Sequence, residues 1–229
     1  AVMAMATLAG ANFNPNIREH NLLARFTQPQ VISTHQFGQT LLALDAQLKR
    51  EVIVKHETGR PELSWATREY RTLSLPFVAN NPHIASSTAG DSLNDTSFVS
   101  IEVINAPTLA SMIDAGVLQN PEKALAVTAQ LLETLKSVHP DVKSIMEIIA
   151  SVNGTMDEAT QSQIGSLREN GIAHNHLDPS NIFIHPTRGV VLTDLVRAAR
   201  FGEVIPSRSV AYWPKNLPIT VSNPLADLF

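Results

Sequence analysis

The sequence predicts an α+β fold, β-rich through about residue 104 and helical from residue 105 to residue 229. Three observations carry this. Short β-branched runs divided by a polar turn fill residues 31–55. An apolar period of helical spacing follows Pro61, and a stronger one follows Pro121, proline being favoured in a helix's first turn. A last helical stretch then stops at Gly171, glycine being the usual helix terminator.

In chain order, Val31-Ile32 and residues 39–46 are the first two strands. Glu51-Val52-Ile53-Val54-Lys55 is the third, after the turn Gln47-Leu48-Lys49-Arg50, and the three form an antiparallel meander. Residues 62–75 carry Leu63, Ala66, Tyr70 and Leu73 at helical spacing, and Pro76 ends that helix. Residues 97–104 form another strand, after which Leu109, Met112 and Ile113 mark a short helix beyond Pro107. The expected order to this point is β-β-β-α-β-α.

Pro121 opens a long helix whose Ala124, Leu125, Val127, Leu131, Leu132, Leu135 and Val138 make one broad apolar face, assigned to the core. His139-Pro140 closes it. Residues 142–150 stay apolar, Asn153-Gly154 marks a turn, and residues 157–170 form a further helix. No internal repeat, low-complexity tract or long linker interrupts the chain, so residues 1–104 and 105–229 are two parts of one domain.

Composition narrows the function classes. With 229 residues and 44% apolar content the chain is long enough to bury a full core. A net charge of −4 and the absence of a Lys/Arg run exclude a binder of phosphate backbones, so no nucleic-acid partner is expected. There is no cysteine, which removes disulfides and thiolate metal sites and leaves the redox compartment open. No stretch approaches the roughly 18–20 apolar residues of a membrane span, and the first ten residues lack a basic lead, so a soluble protein is expected.

The residues richest in chemistry are Gly171-Ile172-Ala173-His174-Asn175-His176-Leu177-Asp178-Pro179-Ser180-Asn181-Ile182-Phe183-Ile184, followed by Val190-Val191-Leu192-Thr193-Asp194. This run resembles the catalytic and metal-binding loops of the protein-kinase superfamily, whose pattern is His-x-Asp-Leu-x-x-x-x-Asn, a short hairpin, and Asp-Phe-Gly. His174, Asn181 and Asp194 fall on family positions. Val52-Ile53-Val54-Lys55 looks like the strand that sets a lysine on the α/β-phosphates, and Glu69 fits the helix glutamate that pairs with it, with Glu62 a weaker alternative. Asn81-Pro82-His83-Ile84 resembles the loop after that helix.

The resemblance implies a bilobal fold with a β-rich N-lobe, a reduced helical C-lobe, and ATP with Mg²⁺ in the cleft between them. Lys55, Glu69 and Gly38 would serve the phosphates, Glu102 and Ile104 would lie at the hinge beside the adenine, and Asn181 and Asp194 would hold metal. Tyr212-Trp213-Pro214 is similar to the end of an activation segment, and Ala226-Asp227-Leu228-Phe229 to the start of the helix after it. The short C-lobe resembles the minimal kinases among bacterial effectors, or else a piece of a longer chain. The implied setting is the cytoplasm, or that of a host cell after delivery.

Four departures from the family pattern stand out. His176 occupies the position of the aspartate that accepts the substrate's hydroxyl proton. Three readings of it stay open: loss of catalysis, an imidazole base, or replacement by Asp178. Ser33-Thr34-His35-Gln36-Phe37-Gly38 keeps only the last glycine of the phosphate loop, restricting close backbone approach to phosphate. Asp194-Leu195-Val196 replaces Asp-Phe-Gly, and Asp178 stands where protein kinases carry a phosphate-contacting lysine.

The functional expectation is phosphoryl transfer, or a related nucleotide-derived transfer, to a protein substrate. The alternative is a catalytically inactive pseudokinase that scaffolds or regulates a protein partner. A small-molecule kinase of the aminoglycoside or choline type shares the motif logic, but the short C-lobe counts against it. His20, His35, His56, His83, His139 and His185 lack metal-site spacing and are expected on the surface or in loops.

Overall fold

The computed structural model describes residues 25–35, 38–59, 64–93, 95–152, 154–200 and 202–203. Within them the fold is α+β. Strands β1 (Phe26–His35), β2 (Gly38–Asp45) and β3 (Arg50–Thr58) form the expected antiparallel meander. Two more strands, β4 (Ser87–Leu93) and β5 (Thr96–Glu102), complete a five-stranded antiparallel sheet of order β1-β2-β3-β5-β4. Strand β4 was not expected, because Ser-Thr-Ala-Gly-Asp-Ser carries no β-branched alternation; pairing with β5 overrides its weak propensity.

Helix α1 (Trp65–Leu73) is shorter than the expected 62–75. Ser64 caps it by accepting from the Thr67 amide at 3.2 Å, and Ser74 ends it. Pro61 and Glu62 lie outside the described residues. Pro76 does not merely end a helix but opens a second one, α2 (Pro76–Ala79).

After β5 come α3 (Leu109–Asp114), α4 (Pro121–Val138), α5 (Val142–Ser151) and α6 (Glu158–Glu169). The hairpin β6 (Ile182–His185) and β7 (Gly189–Leu192) follows. No described helix is long and apolar enough to cross a membrane.

Three apolar clusters hold these elements. Strand alternation sends Leu41, Ala43, Val52, Val54 and Phe98 to one face of the sheet, where they pack together. Val99 and Ile101 point to the other face and meet Ala66 and Leu73 of α1, with Val191 joining from β7 and Ile172 and Leu195 from the segments outside the strands and α-helices. Leu135 of α4 packs with Ile182, Val190 and Leu192 of the hairpin.

The apolar face of α4 does not all enter the core as its periodicity suggests. Leu135 and Val138 are buried, but Leu125 is 71% exposed and Leu132 50%. Leu131 and Leu135 pack on the hairpin while Leu132 between them does not, so the strip of α4 that meets a partner is narrower than its apolar face. A second correction concerns His56, which is buried on β3 rather than at the surface.

Candidate functional site

Lys55 follows the core residue Val54, so the pleat turns it to the opposite face of β3, the face on which α1 packs. That helix is tied to the same strand. Glu57 accepts from the Ala66 amide at 3.0 Å and from the Ser64 hydroxyl at 2.6 Å, fixing the start of α1 against the end of β3. Glu69 is thereby brought, fully buried, to within 2.7 Å of the Lys55 ammonium.

Asp194 arrives from the other side, just beyond β7. Its backbone is left-handed, with φ +63° and ψ +55°, a conformation that costs a non-glycine residue about 1 kcal/mol or more and is kept only where neighbours over-determine it. Here Thr193 donates its amide to the Asn181 carbonyl at 3.0 Å, and Leu195 donates its amide to Glu69 Oε1 at 2.9 Å. The left-handed turn aims the carboxylate at Lys55, whose Nζ lies 2.5 Å from Oδ1.

The 174–181 loop closes the arrangement. His174 is buried, its Nε2 donating to the Thr193 carbonyl at 2.9 Å. Asn175, also buried and left-handed at φ +56°, gives its amide to the carbonyls of Ala173 and Arg197 at 3.1 and 3.2 Å. His176 Nδ1 donates to Asp194 Oδ2 at 2.8 Å, which leaves the lone pair of a neutral ring on Nε2. Asn181 donates to the His176 carbonyl at 3.2 Å, and its amide nitrogen lies 3.5 Å from Asp194 Oδ2.

Charge follows this geometry. Burial would depress the Lys55 ammonium, but the Glu69 and Asp194 carboxylates outweigh it and raise the pKa above the ordinary lysine value. Burial likewise works against the Asp194 carboxylate, and the His176 hydrogen bond with the Lys55 charge more than reverses that, holding its pKa well below the usual range. Glu69 keeps the net effect of burial, a raised pKa, which Lys55 only partly offsets.

Lys55, Glu69, His176, Asn181 and Asp194 are therefore one connected cluster. Asp178 is not drawn into it by hydrogen bonds. It caps the short 3-10 turn Pro179–Asn181, accepting from the Ser180 amide at 2.8 Å and hydroxyl at 2.5 Å, and these bonds lower its pKa. Gly38 has a packing reason of its own, since a Cβ there would meet the His56 carbonyl oxygen at 2.0 Å. Of the expected phosphate loop, Gln36 and Phe37 lie outside the described residues, as do Tyr212-Trp213-Pro214 and Ala226-Asp227-Leu228-Phe229.

Glu102 and Ile104 sit at the end of β5 and just beyond it, with engagements not legible in the sequence. The Glu102 amide goes to the Ser86 carbonyl at 3.0 Å, and its carboxylate accepts from the Ser86 amide at 2.8 Å and from Arg188 at 3.0 Å. Ile104 packs against the α1 cluster, and its carbonyl accepts from the Ala106 amide at 3.0 Å.

Sequence reasoning missed Glu57, Asn175 and Arg188. Glu57 looks like one more strand-end acid, and Arg188 lies in an ordinary Thr-Arg-Gly turn, so neither leaves a signal. Asn175, standing between two histidines of the motif, was noticeable as a residue tolerant of the left-handed region.

Among the described residues no group of three or more His, Cys, Asp or Glu gathers as a metal cage. The pair Asp194 and Asn181 instead supplies one carboxylate and one amide. That is a hard-oxygen set suited to a Mg²⁺ ion, which keeps several waters and takes its remaining ligands from phosphates. Compared with family models and with curated proteins, the sequence matches none.

Proposed function

We propose that this chain is a small kinase-like protein that binds ATP with Mg²⁺ and transfers the γ-phosphoryl group to a protein hydroxyl. In this reading the sheet with α1 is the N-lobe, and α3 to α6 with the β6–β7 hairpin form the C-lobe. The observation that carries it is the contact of Lys55 with both Glu69 and Asp194. A lysine on the third strand, a buried helix glutamate and a carboxylate beyond the hairpin meet as the chemistry requires. Their order in the chain and the His174 and Asn181 positions add to it.

Lys55 is the phosphate-facing cation, and Glu69 fixes its position. Asp194 and Asn181 would hold Mg²⁺, which supplies charge neutralisation on the phosphates. The acceptor hydroxyl oxygen bonds to the γ-phosphorus as the bond from phosphorus to the β,γ-bridging oxygen breaks, releasing ADP. The hydroxyl proton goes to His176 Nε2, the lone-pair nitrogen that the Asp194 hydrogen bond leaves available. Asp178, committed to Ser180, is the poorer candidate for this proton.

A second reading, a non-catalytic scaffold of the same architecture, is favoured by one observation. Both oxygens of Asp194 are already engaged, Oδ1 by Lys55 and Oδ2 by His176. Titration with ATP, with and without Mg²⁺, followed by thermal denaturation, separates the two, because a ligand that binds only the folded protein must raise its stability. A Mg²⁺-dependent rise that disappears in Asp194→Ala supports the nucleotide site. No shift at millimolar ATP favours the scaffold.

A further inference from the structure

The β6–β7 hairpin, which precedes Asp194, is joined to the sheet side of the molecule by a seam. Ala85 donates its amide to the Leu192 carbonyl at 2.9 Å, and Leu192 donates to the His83 carbonyl at 2.8 Å. His83 in turn bonds the Val190 carbonyl through Nδ1 at 3.0 Å. On the other side of the hairpin Ile184 donates to the Pro107 carbonyl at 2.9 Å.

Arg188, at the tip of the hairpin, finishes the seam with three separate bonds. Nε donates to the Pro82 carbonyl at 2.8 Å, one terminal nitrogen to the Ile84 carbonyl at 3.0 Å, and the other to Glu102 Oε1 at 3.0 Å. The two charged partners are only partly exposed, 25% and 18%. A planar guanidinium bonded along three directions fixes orientation as well as distance, which a lysine's single ammonium does not.

The seam matters because the candidate site straddles it. Lys55 is on the sheet, whereas Asn181 and Asp194 flank the hairpin, one just before β6 and the other just beyond β7. The 2.5 Å spacing of Lys55 and Asp194 exists only while hairpin and sheet keep one relative position, whereas the 3.5 Å spacing of Asn181 and Asp194 lies within the hairpin side.

We propose that Arg188 is a positioning residue. It locks the hairpin to the end of β5, so that the halves of the site carried by Lys55 and by Asp194 are held together before any ligand arrives. This rests on the nucleotide-binding function proposed above for what the site does, but not for the lock itself. A site assembled in advance binds at its intrinsic affinity, whereas one assembled only part of the time has its apparent affinity reduced by that fraction.

The test compares the wild-type chain with Arg188→Met, Arg188→Lys and Glu102→Gln in two measurements. The first is amide hydrogen exchange without nucleotide at Ala85 and Leu192, with the Val54 amide in the sheet core as internal control. Arg188→Met is expected to speed exchange at the two seam amides by about tenfold and leave Val54 unchanged, with Arg188→Lys and Glu102→Gln between. Equal acceleration at Val54, or none at the seam, overturns the lock.

The second is Mg²⁺·ATP titration. Arg188→Met is expected to raise Kd about tenfold, with turnover at saturating ATP close to wild type, because ligand binding reassembles the site. A variant that merely misfolds loses turnover with Kd unchanged. Faster seam exchange with unaltered Kd overturns the link to the site. If the wild-type protein itself binds no Mg²⁺·ATP, the functional reading falls, and the exchange result alone decides the lock.

Discussion

Lys55 and Asp194 are 139 residues apart in sequence and 2.5 Å apart in space. The same ammonium lies 2.7 Å from Glu69, so a single cation stands between a fully buried carboxylate and a partly exposed one. Two negative groups this close require that cation, because burying an uncompensated charge is costly.

Lys55→Met is accordingly expected to lower folding stability by about 3 kcal/mol, the scale for removing one member of a buried pair. Adding Glu69→Gln should recover part of the loss by removing the charge left behind. Urea denaturation of the single and double variants checks this, and a single variant as stable as wild type would show that the pair contributes nothing in solution.

His176 and Asp178 are separable by turnover. On the proposed kinase reading, His176→Ala is expected to reduce phosphoryl transfer by roughly 10²–10⁴-fold, the usual contribution of a positioned base. Asp178→Ala should cost about 1 kcal/mol of stability, as for a lost cap, with a much smaller effect on rate. The reverse ranking in a single-turnover assay would move the base to Asp178.

Acid stability has a marked contributor away from the site. Arg25 donates Nε to both oxygens of Asp45 at 2.8 Å, and the Gln47 and Leu48 amides add bonds at 2.9 and 3.1 Å. The Arg25 hydrogen bonds lower the Asp45 pKa; burial opposes them and the backbone amides help. Since the folded pKa lies below the unfolded one, the stabilisation is complete above about pH 4 and is lost as pH falls further through the folded value. Asp45→Asn should cost about 2 kcal/mol at pH 7, with the gap to wild type narrowing below pH 4. A gap that stays constant from pH 7 to pH 2.5 would contradict the assignment.

Gly38 distinguishes packing from phosphate binding. Gly38→Ala places a methyl group 2.0 Å from the His56 carbonyl oxygen, so β2 and β3 must separate. Melting temperature is expected to fall by several degrees without any nucleotide present, a shift of about 1 kcal/mol or more. An unchanged melting temperature with weakened ATP binding would assign the glycine to phosphate instead.

Much of the sheet was legible because period-two alternation is local. Val52 and Val54 on one side and Lys55 on the other follow from the pleat alone, and so does the meander around Gln47-Leu48-Lys49-Arg50. Strand β4 was not legible, since its residues have no preference strong enough to register without β5 beside them. The α4 face misled for the converse reason: period shows which side of a helix is apolar, not how wide a strip of that side meets a partner, and Leu125 and Leu132 are exposed while Leu131 and Leu135 pack on the hairpin.

By itself the sequence determined which residues were available for chemistry and their order along the chain: Lys55, Glu69, His176, Asn181 and Asp194 on recognisable spacings. Tertiary structure decided what each of them touches. It placed the Asp194 carboxylate against Lys55 through a left-handed turn, gave Asp178 to Ser180, and turned Glu102 toward Arg188. The physical reason is range. Strand alternation and helix caps act over a few residues, whereas the choice of a polar side chain's partner is made by whatever packing brings within about 3 Å, from any distance along the chain.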